Sequence, residues 1–211
     1  MATSGKSARK KTSRKGYYRD FVETVVTAVL LALVLRAFVV QTFRIPSGSM
    51  EDSLLIGDFL VVNKFIYGIK VPFTETRLRG IREPERGDVI VFEYPNPDPR
   101  APKENYVKRC IGTPGDIVEL RNNVLYINGE RVEEEYIKLK PPTPRWSSFG
   151  PVKVPEGQLL MLGDNRNWSA DSREWGFLDK SLMQGKAIVI YWSWDSTLSR
   201  PRFDRLFSLI K

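Results

Sequence analysis

Residues 117–132 read IVELRNNVLYINGERV, and their latter half shows what kind of structure this chain builds. Asn128-Gly129 sits between Leu125-Tyr126-Ile127 and Glu130-Arg131-Val132. Both central residue types tolerate positive φ, so the pair predicts a tight hairpin between two short strands. Working outward, residues 60–63, 89–94, 117–120, 124–127, 158–162 and 186–192 repeat the pattern as short Val- and Ile-rich runs separated by Gly, Pro and Asn. The expectation is a β-rich domain. Residues 94–102 (YPNPDPRAP) and 141–155 are Pro-rich and read as surface loops within it. There is no internal repeat, and 211 residues suit one catalytic domain once the N-terminus is set aside.

That N-terminus has a different character. Residues 21–43 read FVETVVTAVLLALVLRAFVVQTF, close to the ~20 residues needed to cross a bilayer as a helix. Glu23 and Arg36 lie near the ends of the run, and the stretch from Val25 to Leu35 carries no charge. Ahead of it stand Lys6, Arg9, Lys10, Lys11, Arg14, Lys15 and Arg19 against Asp20 alone, so most of the net charge of +8 belongs to this tail. A nucleic-acid arm is one reading of such a tail, but basic residues immediately before an apolar run follow the positive-inside rule. A cleavable leader is disfavoured because Arg44-Ile45-Pro46 follows, with no small-residue cleavage site. The expected organisation is a basic cytoplasmic tail over 1–20, a transmembrane helix over 21–43 and an extracytoplasmic β-domain over 44–211. Its partner at the N-terminus would be the lipid bilayer, not nucleic acid.

Two absences restrict the chemistry. The chain has no histidine and a single cysteine, Cys110. Ser-His-Asp and Cys-His catalysis are therefore impossible, zinc sites built on those ligands are excluded, and no intramolecular disulfide can form. A hydrolase built from this sequence needs another base, and Cys110 reads as a packing residue.

Three segments suggest where such chemistry lies. Ile45-Pro46-Ser47-Gly48-Ser49-Met50 follows the apolar run directly, and Pro46 and Gly48 would hold Ser49 in a turn that exposes its hydroxyl beside its own N–H. Tyr106-Val107-Lys108-Arg109-Cys110-Ile111 places Lys108 in an apolar strand context. A lysine desolvated there loses its proton more readily and can serve as a base. Residues 163–173 (GDNRNWSADSR) alternate acids, amides and arginines, the composition of a hydrogen-bonded, ion-paired network. Calcium ligation by Asp164, Asn165, Asn167 and Asp171 is the competing idea, and the interposed arginines weigh against it.

In this order after an apolar run, the three segments resemble bacterial type I signal peptidases over residues from the run to Trp192. The resemblance implies a mainly β catalytic domain of antiparallel sheets and cleavage of signal peptides from exported preproteins after small residues. No metal or cofactor is implied, and the setting would be the plasma membrane, crossed once. Residue by residue it makes Ser49 the nucleophile and Lys108 the general base. Ser47 would complete the oxyanion hole with the Ser49 N–H, and Ser169 would orient the lysine. Arg109, Asp164, Asp171 and Arg173 would form the supporting network, and Ile45, Met50, Leu54, Tyr106 and Val107 would line the pocket for the small side chain. Residues 86–92 (RGDVIVF) match a further family segment of structural role. The family loop commonly reads GDNRDNS, and Asn167 and Trp168 depart from it here. SOS-repressor-type autoproteases share a similar fold and dyad, but they are soluble and carry DNA-binding helices, for which this sequence shows no pattern. An inactive membrane-anchored β-domain is the non-enzymatic alternative.

Overall fold

The computed structural model describes residues 14–38, 40–68, 78–96, 98, 100–137 and 147–210. The basic residues from Lys6 to Lys11 lie outside them. Two compact units are present, Met1–Ala37 and Phe38–Lys211.

The first unit carries helix α1 (Arg14–Phe38). Its apolar side chains, among them Phe21, Val22, Val26, Leu30 and Leu31, are exposed. Among the described residues no helix is long and apolar enough to cross a membrane. The expected span of 21–43 also ends too late, since Val40–Arg44 form strand β1, paired along its length with β2 (Asp58–Asn63). Val40, Thr42 and Phe43 favour extended backbone, and Pro46 cannot continue a helix.

The second unit is built almost entirely of antiparallel strands. Among the described residues its larger sheet has nine strands, with the main order β1-β2-β11-β3-β4-β9-β10. These are completed by β3 (Val89–Glu93), β4 (Asn105–Gly112), β9 (Gln158–Leu162), β10 (Leu178–Asp179) and the long β11 (Met183–Asp195). Two short strands, β12 (Arg200–Pro201) and β13 (Ser208–Leu209), pair with β11. The smaller sheet has the order β7-β6-β5-β8, from β5 (Ile117–Arg121), β6 (Val124–Ile127), β7 (Glu130–Val132) and β8 (Phe149–Lys153).

The β6–β7 hairpin closes with Asn128 at φ 55° and Gly129 at φ 84°, the positive pair expected of that turn. Asn128 Oδ1 also accepts the Ile117 N–H at 2.8 Å, which ties the hairpin to β5. Strand β8 overturns the reading of 141–155 as a loop throughout. Phe149, Val152 and Lys153 are compatible with strand, and β8 occupies an edge, where Pro151 withholds no central ladder bond. Residues 141–146 of that stretch lie outside the described residues.

Among the described residues three cores fill the unit, and two of them bear on function. One packs Ile45, Met50 and Leu54 against Leu60, Val62, Val89, Val91, Ala187 and Ile190, so the segment after β1 is anchored by its own apolar residues. Another joins the two sheets through Ile111, Val118, Leu120, Leu125, Val154, Leu160 and Leu162. Strand β11 shifts register at Met183/Gly185 against β3, and at Ala187/Val189 and Ile190/Trp192 against β2. Such irregularities increase twist and curl. Curling is required here, because edge strand β1 and strand β4, four places along the sheet, line the same cleft.

Gly112 lies where β4 packs closely against Val118 of β5 and the neighbouring Val154. A Cβ there would stand 2.7 Å from Val118 Cγ2 and 2.9 Å from Val154 Cγ2. Gly112→Ala is therefore expected to lower stability by about 1–3 kcal/mol through overpacking, seen as a reduced urea midpoint with an unchanged slope. An unaltered midpoint would show that this junction is loosely packed.

Candidate active site

The segment after β1 folds into a single 3-10 turn, Gly48–Met50, in which the Glu51 N–H donates to Gly48 O at 3.0 Å. Met50 and Ile45 pull the turn onto the core, and Ser49 is left half-buried at its surface. Ser47 precedes the turn in extended conformation, makes no capping hydrogen bond and is exposed. The special backbone expected of Gly48 is not adopted: its φ is not left-handed, and a Cβ there would meet only Glu51 Oε2 at 3.6 Å. The turn is shaped from outside instead. The Asn165 N–H donates to Ser49 O at 3.2 Å and its Nδ2 to Gly48 O at 3.0 Å.

Lys108 comes from β4, held in register by β3 through the pair Ile90↔Lys108. Its side chain is 2% exposed, and Nζ donates to Ser49 Oγ at 2.5 Å. Tyr106, two residues earlier and so on the same face of the strand, sets its ring 5.5 Å from Nζ. Burial lowers the Lys108 pKa from its ordinary value to about 8, against the opposing fields of Asp171 and Asp164 and with a contribution from Arg173.

Those two carboxylates are already committed. Arg109, the next residue on β4, makes a buried bidentate pair with Asp164 at 2.9 and 2.7 Å. It also donates to Gly87 O at 2.9 Å and lies 3.9 Å from the centre of the Tyr136 ring. Arg173 binds Asp171 through Nε and Nη2, both at 2.8 Å, and donates to Arg166 O at 3.0 Å. Asp171 Oδ2 in turn accepts the Gly163 N–H at 3.0 Å. Since each acid faces an arginine fork, the residues that a calcium ion would need are engaged elsewhere.

Ser169 is buried, and its Oγ has no hydrogen-bond partner among the described residues. It lies against Gly163, where a Cβ would come within 2.2 Å of Ser169 Oγ and 2.4 Å of Ser49 O. Only a glycine lets the 163–173 loop press so closely on the Gly48–Met50 turn.

A cleft of about 700 Å³ opens over these groups. Ile45, Met50, Tyr106 and Val107 line it beside Ser47, Ser49 and Lys108. Leu54, expected in the same pocket, is fully buried in the core behind Met50 and does not line it. The family resemblance placed it there, but its side chain turns inward. Sequence reasoning weighed Asn165 only as a calcium ligand and assigned no role to Gly163 or Trp168; Asn165 and Trp168 also line the cleft. Cys110 is buried, its thiol pushed up to about 12 by burial, as suits a packing residue.

The family model described as signal peptidase, peptidase S26, matches residues 18–192. A signal peptidase I from Pseudomonas fluorescens is 35% identical over 95% of this chain and 82% of its own. A probable signal peptidase I-2 from a Synechocystis strain is 38% identical over 88% of this chain and 78% of its own. A solved signal peptidase I from Enterococcus faecalis V583 is 35% identical and covers 51% of this chain and 98% of its own, with a TM-score of 0.42. The chain belongs to the signal peptidase family, peptidase S26, and is a serine peptidase hydrolase of that family.

Proposed function

We propose that Ser49 and Lys108 form the catalytic dyad with which this peptidase cuts exported preproteins after small residues. The observation that carries this is the 2.5 Å contact between Lys108 Nζ and Ser49 Oγ in a chain that has no histidine. The neutral amine takes the Ser49 proton as Oγ attacks the scissile carbonyl. Charge on the carbonyl oxygen is met by the Ser49 N–H and the Ser47 hydroxyl. As the C–N bond breaks, the Lys108 ammonium returns the proton to the departing amine, leaving the signal peptide esterified to Ser49. Water, deprotonated by Lys108, then releases that peptide as a carboxylate. Ser169, buried beside the nucleophile turn with its hydroxyl unpartnered, serves as the group that fixes the amine.

The cleft suits an extended substrate. Among the described residues, strand β1 pairs only with β2, and the Asn105–Lys108 stretch of β4 pairs only with β3. Both therefore present a free edge that can hydrogen-bond a peptide backbone. Ile45, Met50, Tyr106 and Val107 leave room there for a small side chain next to the cut.

The membrane setting belongs to the same proposal. Residues 21–38 of α1 anchor the protein, residues 1–20 lie in the cytoplasm and the β-domain lies on the outer face. Support comes from the outward-facing apolar side chains of α1, the uncharged stretch from Val25 to Leu35, and the basic residues before them. An anchored enzyme and a membrane-tethered preprotein share one plane, which raises their effective concentration.

Processing of a preprotein by detergent-solubilised protein should be abolished by Ser49→Ala and by Lys108→Arg, since a guanidinium does not give up its proton in proteins. For the native enzyme, kcat/KM should climb with pH through a midpoint near 8, because the base is active only once its lowered pKa is passed. Substantial processing by a natively folded Lys108→Arg variant would rule out the dyad. Protease added outside intact spheroplasts should digest the β-domain and spare the tail, and the opposite pattern would invert the topology.

A further inference from the structure

We infer that Trp168 forms a subsite for the polypeptide on the leaving side of the scissile bond, taking an apolar or aromatic side chain within the first two residues after the cut. This rests on the proposed role of Ser49. Along 168–170 exposure alternates: Trp168 is exposed, Ser169 buried and Ala170 exposed, and the two exposed residues line the same cleft as Ser49. The free edges of β1 and β4 serve the part of the substrate that becomes the acyl group. The rest of the lining, from the 165–170 loop and Glu51, is left to the chain that departs.

Trp168 is 70% exposed, yet the loop that carries it is held at several points. Its N–H donates to Asn165 O at 3.1 Å, and Asn165 itself grips the Gly48 and Ser49 carbonyls of the nucleophile turn. Arg166 forms a largely buried pair with Glu134 at 2.5 Å, and Arg173 Nη2 holds Arg166 O. An indole on so fixed a support, facing a cleft, is a ready stacking platform whose ordering cost is already met by folding. The Glu51 carboxylate, 3.3 Å from Asn165 Nδ2, lines the same end of the cleft and disfavours an acidic residue there.

The test uses the full-length protein in detergent and peptides identical up to the cut, with Phe, Gly or Asp at the first or second position beyond it. The native enzyme should prefer Phe to Gly by about three- to tenfold in kcat/KM at one of the two positions, with Asp poorest. Trp168→Ala should bring the Phe-to-Gly ratio to about one, and Trp168→Phe should keep most of it. An equal ratio in the native and alanine enzymes, or a native ratio of one, overturns the subsite while leaving the dyad standing. A uniform loss across all peptides together with weaker binding to anionic lipid vesicles would assign the indole to a membrane surface instead. If the native enzyme cleaved none of the peptides at the intended bond, subsite and dyad would fall together.

Discussion

Removing an ammonium from water costs several kcal/mol unless a carboxylate meets it. Lys108, 2% exposed, hydrogen-bonds Ser49 and, among the described residues, no carboxylate. The rest of the site follows from that constraint. Asp164 and Asp171 lie near enough to favour the charged lysine, but the burial of the amine outweighs their fields. Arg109 and Arg173 occupy both acids through paired hydrogen bonds, and Arg173 adds to the burial that lowers the Lys108 pKa. The buried ion pairs matter here less for stability, to which such pairs often add little, than for withholding a counter-ion from Lys108.

The fold supplies this arrangement by placing neighbours in sequence on opposite faces of one strand. In β4, Lys108 points to the cleft and Arg109 to the loop that neutralises its surroundings, while β3 fixes the register of both. Across the cleft, the core residues Ile45 and Met50 seat the 3-10 turn, and Asn165 and Gly163 bring the loop against it. The bulged strand β11 bends the sheet until β1 and β4 face a common space. Long-range pairing thus joins residues 59 positions apart to within a hydrogen bond.

Much of this was legible in the sequence, for identifiable reasons. The absence of histidine left lysine as the available base, and Lys108 stood in an apolar run, so the pairing with Ser49 could be anticipated. Asn128-Gly129 specified its hairpin through backbone conformation alone. The end of α1 was hidden, because valines and phenylalanines serve a lipid-facing helix and an edge strand equally well, and only pairing with β2 decides for strand from Val40 onward. Strand β8 was masked by the prolines around it. The parts played by Gly163 and Asn165 depend on backbone atoms of a distant segment, which carry no signature in local composition. Leu54 was misplaced because a resemblance carries over a position in the chain but not whether its side chain turns to the cleft or to the core.

The charge state of one side chain is the central claim, and it can be observed without catalysis. Selective 13C labelling of lysine side chains, with the Lys108 resonance assigned by its loss in a substituted chain, allows its ammonium to be titrated by NMR in the otherwise native enzyme. The structure predicts a midpoint near 8, set apart from the bulk of lysines near ~10.4. A Lys108 that titrates with the surface lysines would mean that its amine is charged at working pH, and Ser49 would then have no base.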